Sequence, residues 1–212
     1  MNLTSPAASV LPALRARVLM VLARVEAGLT GRRVAALAAG SVAGVAKILE
    51  TLVHGGLVHR IDAGSASLYF LNRDHLGASA VLSLATMRER LIEMLQRRVS
   101  EFTHRPLNAT LFGSAARGDG DEESDIDLLL VRPEAISEDD EAWTDDIERL
   151  ATSVLAWTGN PLSVVEYTPA DLVVRAGGRD GLLDRINREG VHLHGTVLRA
   201  LRRRAGVGVG AR

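Results

Sequence analysis

Residues 111–131, LFGSAARGDGDEESDIDLLLV, carry the pattern on which the fold turns. The stretch divides into a strand, a Gly-Ser turn, an acidic loop and a second strand that opens with Asp125 and Asp127. Only Ile126 separates the two aspartates, so in an extended strand both carboxylates point to one face, roughly 6.5–7 Å apart along it. Ile126, Leu128 and Leu130 then point to the other face, where a core takes them. Two carboxylates at the mouth of a sheet, beside a turn with free backbone N–H groups, are suited to holding a divalent metal and phosphate together.

Working outward, the first strand is expected over 109–112 and the second over 125–131. A polar loop over 133–140 leads into a helix over 141–157, with Ile147, Leu150, Val154 and Leu155 inward. Gly159-Asn160-Pro161 turns the chain into a third strand, 162–167, whose one acid is Glu166. Thr168 followed by Pro169 opens another helix, and a last one is expected near 181–188. His192 and His194 alternate along a short final strand; this is the spacing of a two-histidine metal face, but a structural role is favoured. The arginines at 199, 202, 203 and 204 read as a solvated face, and the segment 197–212 as a basic tail whose last dozen residues are frayed. Upstream, Leu84, Met87, Leu91, Met94, Leu95, Val99 and Phe102 form one stripe, predicting a single long helix from about 79 to 102 that is also open to use as a homodimer seam.

The N-terminal third has another character. Apolar positions at Leu11, Leu14, Val18, Leu19, Leu22 and Val25 have a helical period. Thr30 caps a second helix that ends at Gly40, and Ser41 caps a third that stops at Gly55-Gly56. Two short apolar runs around Asp62-Ala63-Gly64-Ser65 then read as a hairpin. Three helices followed by a hairpin is the order of a winged helix-turn-helix.

Composition narrows the function classes. The 212 residues are 47% hydrophobic and 24% charged, enough for a sizeable core, while aromatics make up 3%, so that core is Leu, Val and Ala packing. With no cysteine, disulfides, thiol catalysis and Cys-ligated zinc are excluded. There is no run of about 18 apolar residues, and Arg15 and Arg17 follow the first apolar residues, the reverse of a secretory signal; a cytoplasmic protein without membrane contact is expected. The net charge of −1 hides a segregation: residues 1–73 hold eight Arg/Lys and three acids, 105–171 four Arg and sixteen acids, and 172–212 nine Arg and three acids. A basic first third suits an anionic partner such as nucleic acid, and an acidic middle suits a cation.

Gly113-Ser114, ten residues, then Asp125-Ile126-Asp127 resembles the GS-x10-DxD signature of polymerase-β-like nucleotidyltransferases, in particular the minimal members of that superfamily. Arg117-Gly118 and Ser124 also stand where the family has them, and the resemblance covers 88–195. It implies an α+β chain in which a small mixed-sheet nucleotidyltransferase domain (76–196) follows the winged helix-turn-helix domain (1–75). It also implies that Gly113, Ser114, Arg117 and Ser124 bind the nucleotide, ATP before other NTPs, with Arg117 either a fork donor to phosphate or a cap on the acidic loop. Asp125 and Asp127 would bind two Mg²⁺ ions, with Glu166 as the third, catalytic carboxylate that such families take from a neighbouring strand; the alternative for Glu166 is an exposed edge-strand residue. The activity implied is transfer of a nucleoside monophosphate from NTP to a hydroxyl of a protein or RNA. Similar minimal domains occur in toxin–antitoxin modules.

The segment from Gly28 to Ile61 resembles MarR-like winged-helix DNA-binding domains. Arg32, Arg33, Ser41, Lys47 and Arg60 are the DNA-contact candidates, although the third helix offers no arginine for base reading. Two readings follow: a transferase, or a DNA-binding transcriptional regulator whose nucleotidyltransferase-like domain binds nucleotide without turnover. A winged helix used for protein contact or dimerisation is the third.

Overall fold

Four residues in a row, Leu128–Val131, are fully buried, and a strand apolar on both faces needs cover on both. The computed structural model, which describes residues 1–2, 6–64, 66–176 and 181–209, supplies that cover. It divides into two units, one essentially 4–88 and the other 89–212, with Met1 assigned to the second and Asn2 to the first.

The first unit opens with a short 3-10 turn, Pro6–Ser9, followed by α1 (Ala13–Ala23), β1 (Leu29–Thr30), α2 (Gly31–Leu37) and α3 (Val42–His54). The hairpin β2 (Val58–Ala63) and β3 (Ala66–Leu71) comes next, then α4 (Ala78–Ala85). The caps are those expected: the Thr30 side chain accepts from Arg33 N–H at 3.3 Å, and Ser41 from Gly44 N–H at 3.1 Å. The three strands form an antiparallel sheet in the order β1-β3-β2. Val18, Leu22, Val34, Val45 and Leu49 make the centre of its core.

The single long helix expected over 79–102 is two helices, α4 and α5 (Met87–Ser100), separated at Thr86. The Thr86 hydroxyl bonds back to the carbonyls of Leu82 and Ser83, closing the first helix. The apolar stripe, continuous in sequence, serves two cores. Ala78 and Val81 are buried in the first unit, and Val81 joins its core, whereas Leu91, Leu95, Val99 and Phe102 belong to the core of the second. The division between units accordingly falls at 88/89, later than the 75/76 expected.

The second unit continues from α5 with β4 (Asn108–Phe112), α6 (Gly113–Arg117), β5 (Ile126–Val131), α7 (Glu141–Thr158) and β6 (Leu162–Tyr167). It ends with α8 (Pro169–Ala176), α9 (Leu182–Glu189), β7 (Val191–Gly195) and α10 (Leu198–Val209). Its sheet has the order β6-β5-β4-β7, with β5 parallel to β6 and the other neighbours antiparallel. Ile126, Leu128 and Leu130 meet α5 and α7 on one face, through Leu95, Val99, Trp143 and Leu150. Leu129 and Val131 meet α8, α9 and α10 on the other, through Leu172, Leu183, Ile186, Leu198 and Leu201. Truncating any of these fully buried leucines to alanine removes about 2–5 kcal/mol.

The first part of the basic C-terminal tail is therefore a helix with a packed face. Leu198 and Leu201 are buried, and Arg202 reaches Asp184 at 2.9 Å. The arginines hid an apolar i, i+3 pair. Two expectations extend outside the described residues: Ser65 of the hairpin turn, and 210–212 of the tail.

Candidate functional site

The site begins with the pairing of β4 and β5, which places Asp127 opposite Phe112. Immediately after Phe112 the backbone turns at Gly113, which has φ +69°. A Cβ there would lie 2.0 Å from Asp127 Oδ2. Gly113 is thus required twice, for its left-handed backbone and because the Asp127 carboxylate lies against it. The Gly-Ser pair, expected as a turn, starts the short helix α6, which Gly118 ends with φ +79°.

Asp125 sits just before β5 and Asp127 within it, so the alternation brings both to one mouth. Burial first, and the negative charge of Asp125 second, push the Asp127 carboxyl above its ordinary value, with Arg117 pulling the other way. Together with Gly113, Ser114, Arg117 and Ser124 the two aspartates line a pocket of about 470 Å³. Six of the seven site residues expected for the nucleotidyltransferase-like domain are brought together.

Two of the six have partners within the chain. Arg117 lies 3.0 Å from Asp119 and 3.5 Å from Glu189; these carboxylates hold its guanidinium more firmly protonated, Asp119 most. The Ser124 hydroxyl donates to Asp121 Oδ1 at 2.7 Å and accepts from Asp121 N–H at 3.0 Å. That bond, with the Glu123 N–H, holds the Asp121 carboxyl below its usual range. Ser124 accordingly closes the acidic loop. The fully buried Asn160 anchors the loop from below, its amide donating to the carbonyls of Asp121 and Ser124 at 2.9 and 2.8 Å.

Glu166 is the seventh, and it stands elsewhere. In the β5–β6 register Asp127 pairs with Ser163, whereas Glu166 pairs with Leu130, about 10 Å further along the strand. It also has the opposite parity. Asp127 shares its face with Leu129, and Ser163 with Val165 and Tyr167; Glu166 points to the α7 face. There it accepts from Trp143 Nε1 at 2.7 Å and lies 3.8 Å from Arg132 Nε. The expectation of Glu166 as a third metal-binding carboxylate is corrected: it is a structural residue that satisfies a buried tryptophan and stands beside an arginine. Glu166→Gln is expected to lower stability by about 1–3 kcal/mol in a denaturant titration. Mg²⁺-dependent nucleotide affinity should stay unchanged.

The donor set defines which cation the chain suits. Two carboxylates that repel one another, beside a pocket open to a ligand, fit one hard divalent ion that arrives with phosphate oxygens to complete its shell. Among the described residues there is no group of three or more His, Cys, Asp or Glu able to hold a metal.

Sequence reasoning did not single out Ser163, Asn160, Arg185 or Glu189. The last two line the pocket from α9. Their i, i+4 spacing was visible, but nothing in the sequence says which strand end a helix covers. His192 and His194 lie on β7, against β4. Burial foremost, with the charge of Arg105, holds the His194 imidazole below its ordinary value.

In the first unit, Arg32 and Arg33 are exposed in the first turn of α2, and Lys47 on α3. Ser41 uses its hydroxyl as a cap, and Arg60 pairs with Asp62 at 3.0 Å. Arg32 also borders a pocket of about 620 Å³ with Thr30, Val42 and Tyr69.

Compared with known proteins, residues 89–175 match the model of the nucleotidyltransferase domain family. No curated protein matches the chain. Among solved structures it is similar to a toxin–antitoxin complex with AMP-PNP, at 18% identity over 57% of this chain and 84% of that one, TM-score 0.37. A mutant toxin–antitoxin MntA-HpeT gives 16% over the same shares, TM-score 0.38. Human N-acetylserotonin methyltransferase in complex with SAM gives 22% over 42% of this chain and 30% of that one, TM-score 0.28. Gly113, Ser114, Arg117, Ser124, Asp125 and Asp127 all fall within 89–175, so the strand-borne side of the pocket lies in the part of the chain that matches the nucleotidyltransferase domain family.

Proposed function

We propose that the chain binds a nucleoside triphosphate, ATP before others, together with Mg²⁺, and transfers its nucleoside monophosphate to a hydroxyl of a protein or RNA. The observation that carries this is the juxtaposition of Asp125 and Asp127 with the Gly113-Ser114 turn around one pocket. Mg²⁺ supplies charge neutralisation at the phosphates and acidifies an attacking hydroxyl. The chain's part is to hold and orient. Asp125 and Asp127 take the ion, Gly113 lets the backbone approach, Ser114 and the adjacent N–H groups receive phosphate oxygens, and Ser124 with Asn160 keeps the acidic loop in place. Arg117, tied to Asp119 and Glu189, acts mainly as the rim of the site. Pyrophosphate release from NTP in the presence of Mg²⁺ and a cell extract tests the proposal. A toxin–antitoxin pair is one setting in which such an activity would operate, and co-purification of a partner chain is the check.

A second reading is favoured by one observation: the residue beside Asp127 on β6 is Ser163, which has no carboxylate. In that reading the site holds nucleotide without turnover, and the first unit, as a winged helix, delivers it to DNA. The exposed Arg32 and Arg33 and the order of three helices then a hairpin support the DNA-binding part. Removing both arginines as Arg32→Ala and Arg33→Ala is expected to reduce the salt slope of DNA affinity by about 2. Absence of DNA binding at low salt would rule this part out. The 79–102 stripe, expected also as a homodimer seam, is largely taken up by the two cores; light scattering checks for a homodimer by another surface.

A further inference from the structure

We propose that Arg185, on the face of α9 that lines the pocket, receives the phosphate chain of the bound nucleotide; this rests on the nucleotide reading given above. The pocket contains two guanidinium groups, Arg117 and Arg185. The first is committed to Asp119 and Glu189. Arg185 has no side-chain hydrogen bond or ion pair among the described residues, so it meets an incoming anion without giving up a partner. Its helix is firmly seated, because Leu183 and Ile186 are buried in the core on that side of the sheet. Arg185 and Glu189 are one turn apart and so share a face, and both line the same pocket as Asp125 and Asp127.

Charge balance gives the cation a task. Asp125 and Asp127 face a ligand that is itself strongly negative, and one divalent ion offsets the aspartate pair but not the phosphate charge. A planar guanidinium supplies two parallel donors that match a phosphate, which an ammonium does not. Arg185 also lies beyond residue 175, outside the segment shared with the nucleotidyltransferase domain family. Arg185 thus acts as a phosphate clamp for the triphosphate, on a helix that follows the matched segment.

The test is titration of the full chain with ATP, ADP and AMP in Mg²⁺, comparing wild type with Arg185→Ala, Arg185→Lys and Arg188→Ala. Arg188 is exposed on the same helix but does not line the pocket. Wild type is expected to prefer ATP over AMP. Arg185→Ala should weaken ATP binding about tenfold or more, as loss of a charge-assisted bond does, while AMP changes far less. Lysine should restore part of the loss, and Arg188→Ala should behave as wild type. ATP affinity unchanged in Arg185→Ala would overturn the proposal and leave the nucleotide reading intact. Absence of Mg²⁺-dependent nucleotide binding by the wild type would overturn both. A thermal melt of each variant confirms that any loss is not unfolding.

Discussion

Asp125→Asn combined with Asp127→Asn is expected to abolish Mg²⁺-dependent nucleotide binding while making the ligand-free protein more stable. The binding loss should be on the order of 10²-fold or more, since several kcal/mol of metal–oxyanion attraction disappear. The stability gain follows from the Asp127 carboxyl. Burial and Asp125 raise its folded value above the ordinary 3.8. In the window between that value and the raised one, the folded state binds the proton more tightly than the unfolded state. Stability therefore falls as pH rises through the window, and the deficit persists at neutral pH. Asparagine removes the deficit, so the variant's melting temperature should exceed that of the wild type at pH 7 without divalent cation. At a pH below 3.8, where the wild-type carboxyl is protonated in both states, the two should converge. Mg²⁺ with ATP should raise the melting temperature of the wild type alone. A variant that is destabilised at pH 7 and still binds nucleotide would remove the cation role from these carboxylates.

The second large effect belongs to Gly113→Ala. The substitution places a Cβ 2.0 Å from Asp127 Oδ2 and forces an L-residue into φ +69°. The backbone strain alone is about 1–3 kcal/mol, and the clash is relieved only by turning the Asp127 carboxylate or moving the turn. Nucleotide affinity should fall at least about tenfold. Gly159→Ala is the control: it has a comparable φ of +75° but open space at its Cβ, so it should lose stability without the binding defect.

Much of the site was legible because it lies within one stretch. The alternation of Asp125 and Asp127 with Ile126 and Leu128 determines which side chains share a face, whatever the sheet does around them. The caps at Thr30 and Ser41 were legible for a similar reason, being local hydrogen bonds between residues three apart. Glu166 was not. In LSVVEY, Ser163 and Glu166 have opposite parity, and only the register between β5 and β6 decides which parity meets Asp127. That register depends on how α7 packs across the sheet, with Trp143 seeking an acceptor for its buried N–H. The break at Thr86 was hidden by an apolar stripe that runs on through it, and the packed face of α10 by five arginines over 199–212. The wall formed by Arg185 and Glu189 is tertiary altogether, a helix brought over a strand end more than fifty residues away in the chain.

Incubating the protein with Mg²⁺ and NTP labelled at the α-phosphate, in an extract of its own cells, distinguishes transfer from binding in one step. A nucleotidyltransferase leaves label on a protein or RNA. Measured against an extract without the added protein, γ-labelled NTP gives no additional label, because the γ-phosphate departs as pyrophosphate, and Asp125→Asn with Asp127→Asn abolishes the additional α-label. Tight, Mg²⁺-dependent retention of NTP by the wild type with no labelled acceptor would contradict transfer, and would assign the Gly113–Asp127 site to nucleotide sensing.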